Sequence, residues 1–409
     1  MHYQLIIIGG GASGLAAAVT AASYGLDQVA VLERLPRVGK KILATGNGRC
    51  NLSHTPISAE DYSGSVHAAD ILAEFGDSAS FFESLGILCR TDEQGRVYPY
   101  SMTATAVLDA LRDACARCGV QEICDARAAE LKPLKKSWLV RTETAEYTAD
   151  AVIFAAGGHA APQLGTDGSA WELLQKLGIP LAPPKPVLCP IRSDAARLRP
   201  LKGLRARAEV TLLDRNHPVR RASGEVQFTE TALSGICLFD LAGLVDTARC
   251  GDFRISLNLC PNRSEGETAA MLYAFLAVRY GTDSETMLSG IVQKPLARLI
   301  LKECGIRANS PCEHLDGRNI ANIAKKIHDL QFPVTGLADW KQAQATAGGV
   351  KGSALDAHLQ VKQHPNLYII GEAADVHSLC GGYHLHWAWA SGVRAAKHVA
   401  ERMRQNDGH

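Results

Sequence analysis

The apolar and polar positions of the chain open with a regular alternation of elements. Gln4 to Ile8 is a short, nearly continuous apolar run, the pattern of a strand buried on both faces. Three glycines follow in the spacing Gly9-x-Gly11-x-x-Gly14. A stretch of small residues then predicts a helix to about Tyr24, which Gly25 stops. A second apolar run, Gln28 to Leu32, ends at Glu33. Strand, glycine turn, helix and strand make a βαβ start. Similar apolar runs recur far downstream. "ADAVIFAAGGHA" is a strand closing on Ala156-Gly157-Gly158. In "NLYIIGEAADVHSLCGGYHLHWAWASG" a strand from Leu367 to Ile370 ends at Gly371-Glu372. Gly381-Gly382 then opens a helix with apolar positions Leu385, Ala388, Trp389 and Val393.

The middle of the chain has a different period. "PPKPVLCP", residues 183–190, reads as a proline-rich exit from the first domain. In "LRARAEVTLL" Arg205, Arg207, Glu209 and Thr211 share one face and Ala206, Ala208, Val210 and Leu212 the other, a barrel-wall alternation. From about Asn262 the period becomes helical through "ETAAMLYAFLAVRY" and "IVQKPLARLILKECG". Strand character returns at "HDLQFPVTGL", and "QATAGGV" leads back to the first domain. The organisation read from this is a discontinuous α/β domain of residues 1–189 and 345–409. It is interrupted by a β-barrel insert of residues 190–261 and 317–344, which carries a small helical subdomain of residues 262–316.

A length of 409 residues suits two or three domains. The formal net charge of +1 gives the whole molecule no field that would draw it to nucleic acid or membrane. No apolar run approaches the roughly 18 residues of a membrane span. "MHYQLIIIGG" enters a strand without a basic leader. The twelve cysteines are scattered rather than paired in a framework, so a reducing cytoplasm is the expected home. Cys115 and Cys118, a CxxC at the end of a helical pattern running from about Ser101, are read as sharing one packed helix face. A redox pair would need a helix N-terminus to lower a thiol pKa. No metal site is expected.

The glycine spacing carries the chemistry. Gly9 permits a tight turn, Gly11 lets backbone approach a pyrophosphate, and Gly14 lets helix and strand pack closely. With Ala12 and Ser13 they place a helix N-terminus against phosphates. Glu33, 19 residues past Gly14, can accept hydrogen bonds from a ribose diol and would repel a 2′-phosphate; Arg34 follows it. FAD is longer than NAD and needs donors beyond the second strand. "GKKILATGNGRCN" offers them in Lys40, Lys41, Thr45, Gly46, Gly48, Arg49, Cys50 and Asn51. Ala156 and Gly157 return the chain to the same cofactor. A helix starting after Gly382, at Tyr383, His384 and Leu385, would aim its N–H groups at the flavin edge that gains charge on reduction, beside Gly371 and Glu372. "CGVQEICDARAAELK" reads as a strand whose backbone near Ala129 reaches the adenine.

"GGGASG", "GKKILATGNGRCN", "ATAGGV" and "GEAADVHSLCGGYHLHWAWASG" together resemble the bacterial FAD-dependent oxidoreductase family that includes BaiN, YhiN and the aminoacetone oxidases. The resemblance spans nearly the whole chain. It implies non-covalent FAD in a discontinuous domain and an insert made of a β-barrel with a small helical cap. It also implies chemistry on activated carbon–carbon double bonds, such as bile-acid enones or a uracil ring of ribosomal RNA, or on amines. The chain departs from the family at His384-Leu385-His386, where Asn-Leu-Gln is usual, at "DAHLQVKQHPN", and at Ile236, where proline is common after Ser234-Gly235.

No second strand-GxGxxG-helix unit is present, and Cys50 has no neighbouring thiol, so the flavin disulfide reductases are excluded. NAD(P)H, if it is the reductant, visits the flavin transiently. Residues 192–221 hold nine Lys or Arg against three Asp or Glu, a local balance of +6. This segment is either a solvated face or a surface for RNA phosphates, without aromatic residues to stack bases. Three readings stay open. The first is hydride transfer from NAD(P)H through the flavin to an activated double bond of a small molecule or RNA, with His384 the candidate acid. The second is an amine oxidase using oxygen. The third is a ribosome-associated flavin-binding protein without turnover.

Overall fold

The structure, a computed structural model, describes residues 1–407, which divide into two compact units, residues 1–187 with 340–407 and residues 188–339. In the first unit β1 (His2–Ile8) is the centre of a mostly parallel sheet. On one side it pairs with β2 (Val29–Leu32), from Leu5 opposite Val29 to Ile8 opposite Leu32. On the other it pairs with the strand Glu146–Phe154. The C-terminal half of that strand pairs in parallel with Leu367–Ile369, and its N-terminal half pairs antiparallel with Trp138–Thr142. Its β-branched residues Ile6, Ile7, Val152 and Ile153 are buried on both faces of the sheet, as a covered parallel sheet requires. Helix α1 (Ala12–Ser23) lies on one face and is crossed by the C-terminal helix Tyr383–Asp407. Their backbones approach so closely that a Cβ on Gly392 would stand 2.5 Å from the Ser13 carbonyl oxygen.

The elements differ from the sequence reading in four places. "CGVQEICDARAAELK" is two strands. Gln121–Ile123 joins β2 in parallel, and Ala128–Pro133 forms an antiparallel ribbon with Trp138–Thr142. The break falls at Asp125, whose φ is +52°. The proline-rich exit is itself a strand, Leu181–Val187, paired with Ala345–Val350; the register shifts between Ala182 and Lys185, where Pro183 and Pro184 cannot donate. Cys115 and Cys118 are not both packed. Cys115 is buried in the helix Ala104–Arg117, while Cys118 is its exposed C-terminal cap. Residues 317–328 are helix rather than insert sheet. Asp316 and Asn319 form a reciprocal capping box, and Ile320, Ile323, Ala324 and Ile327 are buried at helical spacing.

The second unit contains a seven-stranded antiparallel sheet. The alternation read in "LRARAEVTLL" is the strand Arg205–Asp214, which buries Ala208, Val210 and Leu212. The strand order is linear from Leu330–Pro333 to Gly336–Leu337, and pairing between those two, which would close a barrel, is absent among the described residues. Helices Ala195–Leu198, Ile236–Ala242, Glu265–Val278, Ser284–Leu288, Lys294–Glu303 and Gly317–His328 also belong to the unit. No helix among the described residues is long and apolar enough to cross a membrane.

Candidate cofactor site

Three parallel strands end side by side, and each hands the chain to a glycine turn: β1 to Gly9, Glu146–Phe154 to Gly157, and Leu367–Ile369 to Gly371. In an open parallel sheet the crevice beyond the carboxyl ends of the strands is where ligands sit. The first turn is built as its spacing required. Gly9 has φ +111°, and a Cβ there would lie 2.5 Å from the Ala155 carbonyl oxygen. A Cβ on Gly14 would lie 1.9 Å from the Gly9 oxygen. Gly11 is the opposite case, since a Cβ there meets nothing within 4 Å. Gly11 caps α1 without a side-chain bond, and the first intrahelical bond runs from Leu15 N–H to its carbonyl. The N–H groups of Ala12, Ser13 and Gly14 are therefore the helix's unpaired first-turn donors, over an open approach. A pyrophosphate fits this cradle.

Glu33 stands at the end of β2. Its two carboxylate oxygens accept the Gly10 and Leu35 N–H groups, each at 2.9 Å. Each oxygen keeps a second lone pair with which to take a ribose hydroxyl. Arg34 turns to Asp167 at 2.7 Å, and this hydrogen bond holds the Asp167 carboxyl well below its ordinary range. Arg34, Ile8, Ala129, Ser169 and Leu173 line a cleft of about 240 Å³ beside the glycine turn, where an adenosine would extend from the pyrophosphate. Asp167 and Ser169 were missed in the sequence; their signal was the short "TDGSAW" turn.

The Gly39–Asn51 segment is tied to the first turn by Gly39 N–H donating to the Gly10 carbonyl at 2.8 Å. Helix α2 (Lys40–Ala44) starts there and leaves Lys40 exposed and Lys41 half-buried. Thr45 Oγ1 donates to the Ile42 carbonyl at 2.6 Å, and Gly46 and Gly48 form the bend that follows. Arg49 folds back over the Tyr98 ring and donates to the Gly46 carbonyl. Asn51 is buried, its Oδ1 without a hydrogen-bond partner, next to Gly382. Cys50 is corrected as a side-chain contact: it is fully buried and faces the core, and burial pushes its thiol up to about 12. A protonated, enclosed thiol is neither nucleophile nor redox partner. Cys50→Ser is expected to keep flavin reduction within a few-fold of the parent by stopped-flow absorbance. Loss of reduction with FAD still bound would overturn that expectation.

The third turn brings the C-terminal helix in. Gly371 N–H donates to Ser391 Oγ, and its carbonyl accepts Trp387 Nε1–H, each at 3.0 Å. Gly382, with φ +106°, passes so near the Ser53 carbonyl that a Cβ would lie 2.3 Å from its oxygen. Tyr383 starts the helix and stacks on His54 at 4.7 Å, with Leu385 half-buried behind it. His384 and His386 point apart, as two-residue spacing on a helix demands. His384 Nε2 lies 3.2 Å from the Ser378 nitrogen and 3.1 Å from its carbonyl oxygen. Burial depresses its pKa against the opposing pull of the Glu372 carboxylate.

His386 is enclosed in the core. Its Nδ1 meets Ser53 Oγ at 2.9 Å and Ser78 Oγ at 3.0 Å, and burial lowers its pKa from 6.5 to about 4. A folded-state pKa below the unfolded one means that the unfolded chain binds the extra proton between those values. This contribution is therefore whole above pH 6.5 and is lost as the pH falls towards 4. At pH 5 the loss is about 2 kcal/mol. His386→Gln is expected to flatten the fall of the melting temperature between pH 7 and pH 5; an unchanged slope would remove His386 as its source.

Lys41 also reaches the third turn, at Glu372; Ala156 lies against Gly9, and the Gly157 carbonyl accepts Trp171 Nε1–H at 2.9 Å. All the sequence-derived cofactor residues belong to the first unit. The basic segment, residues 192–221, belongs wholly to the second. There Arg192, Arg197, Lys202, Arg205 and Arg215 each pair with a carboxylate, whereas Arg207, Arg220 and Arg221 are exposed on paired strands with no carboxylate partner among the described residues.

A nucleotide cradle at the carboxyl edge of a two-segment parallel sheet, with a C-terminal helix aimed into it, defines a dinucleotide-binding flavoprotein. Over residues 3–398 the chain matches the family described as HI0933-like protein Rossmann domain, and it belongs to that family. It is an FAD-dependent oxidoreductase. A 3-dehydro-bile acid delta(4,6)-reductase of Clostridium scindens is 34% identical over 408 residues, covering 97% of this chain and 98% of the relative. A ribosomal RNA dihydrouridine synthase of Haemophilus influenzae is 24% identical over 412 residues, 98% and 99% of the two chains. Among solved structures, the open conformation of a flavocytochrome c3 fumarate reductase shares the fold, with a TM-score of 0.50 over 98% of this chain and 78% of that one, at 16% identity.

Proposed function

We propose that the protein takes a hydride from NAD(P)H and delivers it, through FAD, to an activated carbon–carbon double bond of the enone or uracil type. The bound flavin supplies the hydride chemistry. The protein's residues supply the rest. The first turn of α1 and Glu33 hold the dinucleotide, and the start of the C-terminal helix puts a positive dipole end where negative charge develops. The observation that carries the reading is His384. Reduction of a polarised double bond needs a proton as well as a hydride. Ser378 presents both an N–H and a C=O to one imidazole nitrogen, Nε2. Either neutral tautomer therefore finds a partner. With Nε2 accepting from the Ser378 N–H, the proton sits on Nδ1. It would pass to the acceptor as Nε2 takes up a proton from solvent, which the Ser378 carbonyl then holds, so the ring begins and ends neutral.

The named activities of the two relatives support this acceptor class, since an enone and a uracil ring are both double bonds polarised by a carbonyl. An RNA acceptor is favoured by one observation, the exposed and unpaired Arg207, Arg220 and Arg221. The scattered spacing of the cysteines supports a reducing, cytoplasmic setting.

The test is anaerobic stopped-flow absorbance. NADH or NADPH should bleach the flavin, and an enone or uridine-containing RNA should restore its colour. Reoxidation by oxygen alone, after bleaching by a small amine, would make the protein an amine oxidase. RNA retention with no bleaching by any donor would make it a binding protein.

A further inference from the structure

One ion pair joins α2 to the second and third turns at the carboxyl edge of the sheet. Lys41 Nζ, on α2, donates to Glu372 Oε2 at 2.9 Å and to the Ala160 carbonyl at 3.2 Å. The other oxygen of Glu372 accepts the Thr346 N–H at 2.6 Å. Thr346 Oγ1 in turn accepts the N–H groups of His159 at 2.9 Å and Ala160 at 3.1 Å. The fit around the carboxylate is tight: a Cβ on Gly158 would lie 2.4 Å from Thr346 Oγ1 and 3.0 Å from Glu372 Oε1. The pair is also close to the dinucleotide cradle, because a Cβ on the neighbouring Gly371 would stand 2.5 Å from Ser13 Oγ, in the first turn of α1. Only 24% of the Lys41 side chain and 18% of that of Glu372 are exposed, so water screens these charges poorly.

We propose that the Lys41–Glu372 pair, seated by Thr346, sets the reduction potential of the bound flavin. Reduction by two electrons with uptake of one proton adds one negative charge to the isoalloxazine. A fixed ammonium nearby favours that charge, and a carboxylate tied to the ammonium cancels part of the effect. Beside its own bond, the pair is held by the Ala160 carbonyl on Lys41 and the Thr346 N–H on Glu372, so its two charges keep their relative position when the flavin changes state. Burial alone would raise the Glu372 carboxyl, but Lys41 and the Thr346 contact outweigh it and keep it ionised.

The inference rests on the flavoprotein reading and not on the identity of the acceptor. Its test is a dye-equilibrated potentiometric titration of the holoenzyme with dithionite as reductant. This needs neither NAD(P)H nor an organic acceptor, so its failure and the failure of the reductase assay are separate results. Glu372→Gln leaves the ammonium uncompensated and is expected to raise the reduced-to-oxidised ratio at a given potential by at least tenfold, about 30 mV for a two-electron couple. Lys41→Met, titrated at a pH high enough to keep the unpartnered Glu372 ionised, leaves the carboxylate alone and is expected to lower that ratio by a similar factor. Loosening of the site would move both variants the same way, so shifts of one sign, or no shift with FAD bound, overturn the proposal. If either variant does not retain FAD, Lys41→Arg and Glu372→Asp keep the charges and are expected to stay within threefold of the parent. A tenfold departure in either of these overturns the proposal as well. Thr346→Val should weaken FAD binding about tenfold and Thr346→Ser should restore it.

Discussion

Gly14→Ala is expected to abolish FAD retention and to lower the stability of the first unit by about 3 kcal/mol, at the upper end of the cost of overpacking. The added methyl would stand 1.9 Å from the Gly9 carbonyl oxygen. Neither partner can give way, because Gly9 is itself pressed against the Ala155 carbonyl, where a Cβ would lie at 2.5 Å. Relief would require α1 to move off β1, and with it the cradle. Gly11→Ala is the matched control. Its backbone is extended at φ −85°, ψ −166°, and its methyl would meet no atom within 4 Å. The fold should keep its stability to within about 0.5 kcal/mol. The methyl would nevertheless occupy the approach of the pyrophosphate, so FAD affinity should fall about 10- to 100-fold, some 1.4 to 2.8 kcal/mol. Thermal melts of the apoproteins and fluorescence titrations with FAD separate the two effects. A Gly14→Ala protein that melts and binds as the parent does would show that the helix has room to shift. A Gly11→Ala protein with full affinity would move the pyrophosphate elsewhere.

His384→Ala is expected to bind FAD and to be bleached by NAD(P)H at a near-parental rate, yet to return electrons to the organic acceptor 10²- to 10⁴-fold more slowly, the usual worth of a positioned acid. The division follows from the position of the side chain. His384 is hydrogen-bonded to Ser378, apart from the nucleotide cradle of Gly11, Glu33 and α1, so its loss leaves that cradle in place. Burial keeps the imidazole neutral at pH 7, and an imidazolium at the N-terminal end of a helix would be opposed by the dipole as well. His384→Asn retains a donor of similar reach and should recover part of the rate. Single-turnover reoxidation with the same acceptor reads all three proteins. Parental turnover by His384→Ala would assign the proton to another group and leave His384 as the brace of the Ser378 turn.

The sequence by itself determined what depends on near neighbours. The Gly9, Gly11 and Gly14 spacing, the apolar run before it and Glu33 after it specify a cradle whose parts lie within one βαβ unit, so their steric roles follow from the local chain. The alternation at 205–212 and the glycine start of the last helix are legible for the same reason. Opposite directions for His384 and His386 follow from helix geometry alone.

What only the tertiary structure decided are the partners that strand order brings together. Lys41 and Glu372 are 331 residues apart, and their pairing exists because β1, Glu146–Phe154 and Leu367–Ile369 end at one edge. Thr346 gained its place the same way, on a strand whose partner, Leu181–Val187, is so rich in proline that its composition concealed it. Cys50 sits among polar loop residues in the sequence yet is enclosed in the fold, because the direction of a side chain in an irregular segment has no period to betray it. His386 owes its depressed pKa to burial, in a core where it meets the hydroxyls of Ser53 and Ser78, more than three hundred residues upstream. Periodicity records which face a residue occupies, whereas the identity of the group across from it is fixed by how the strands are ordered in the sheet.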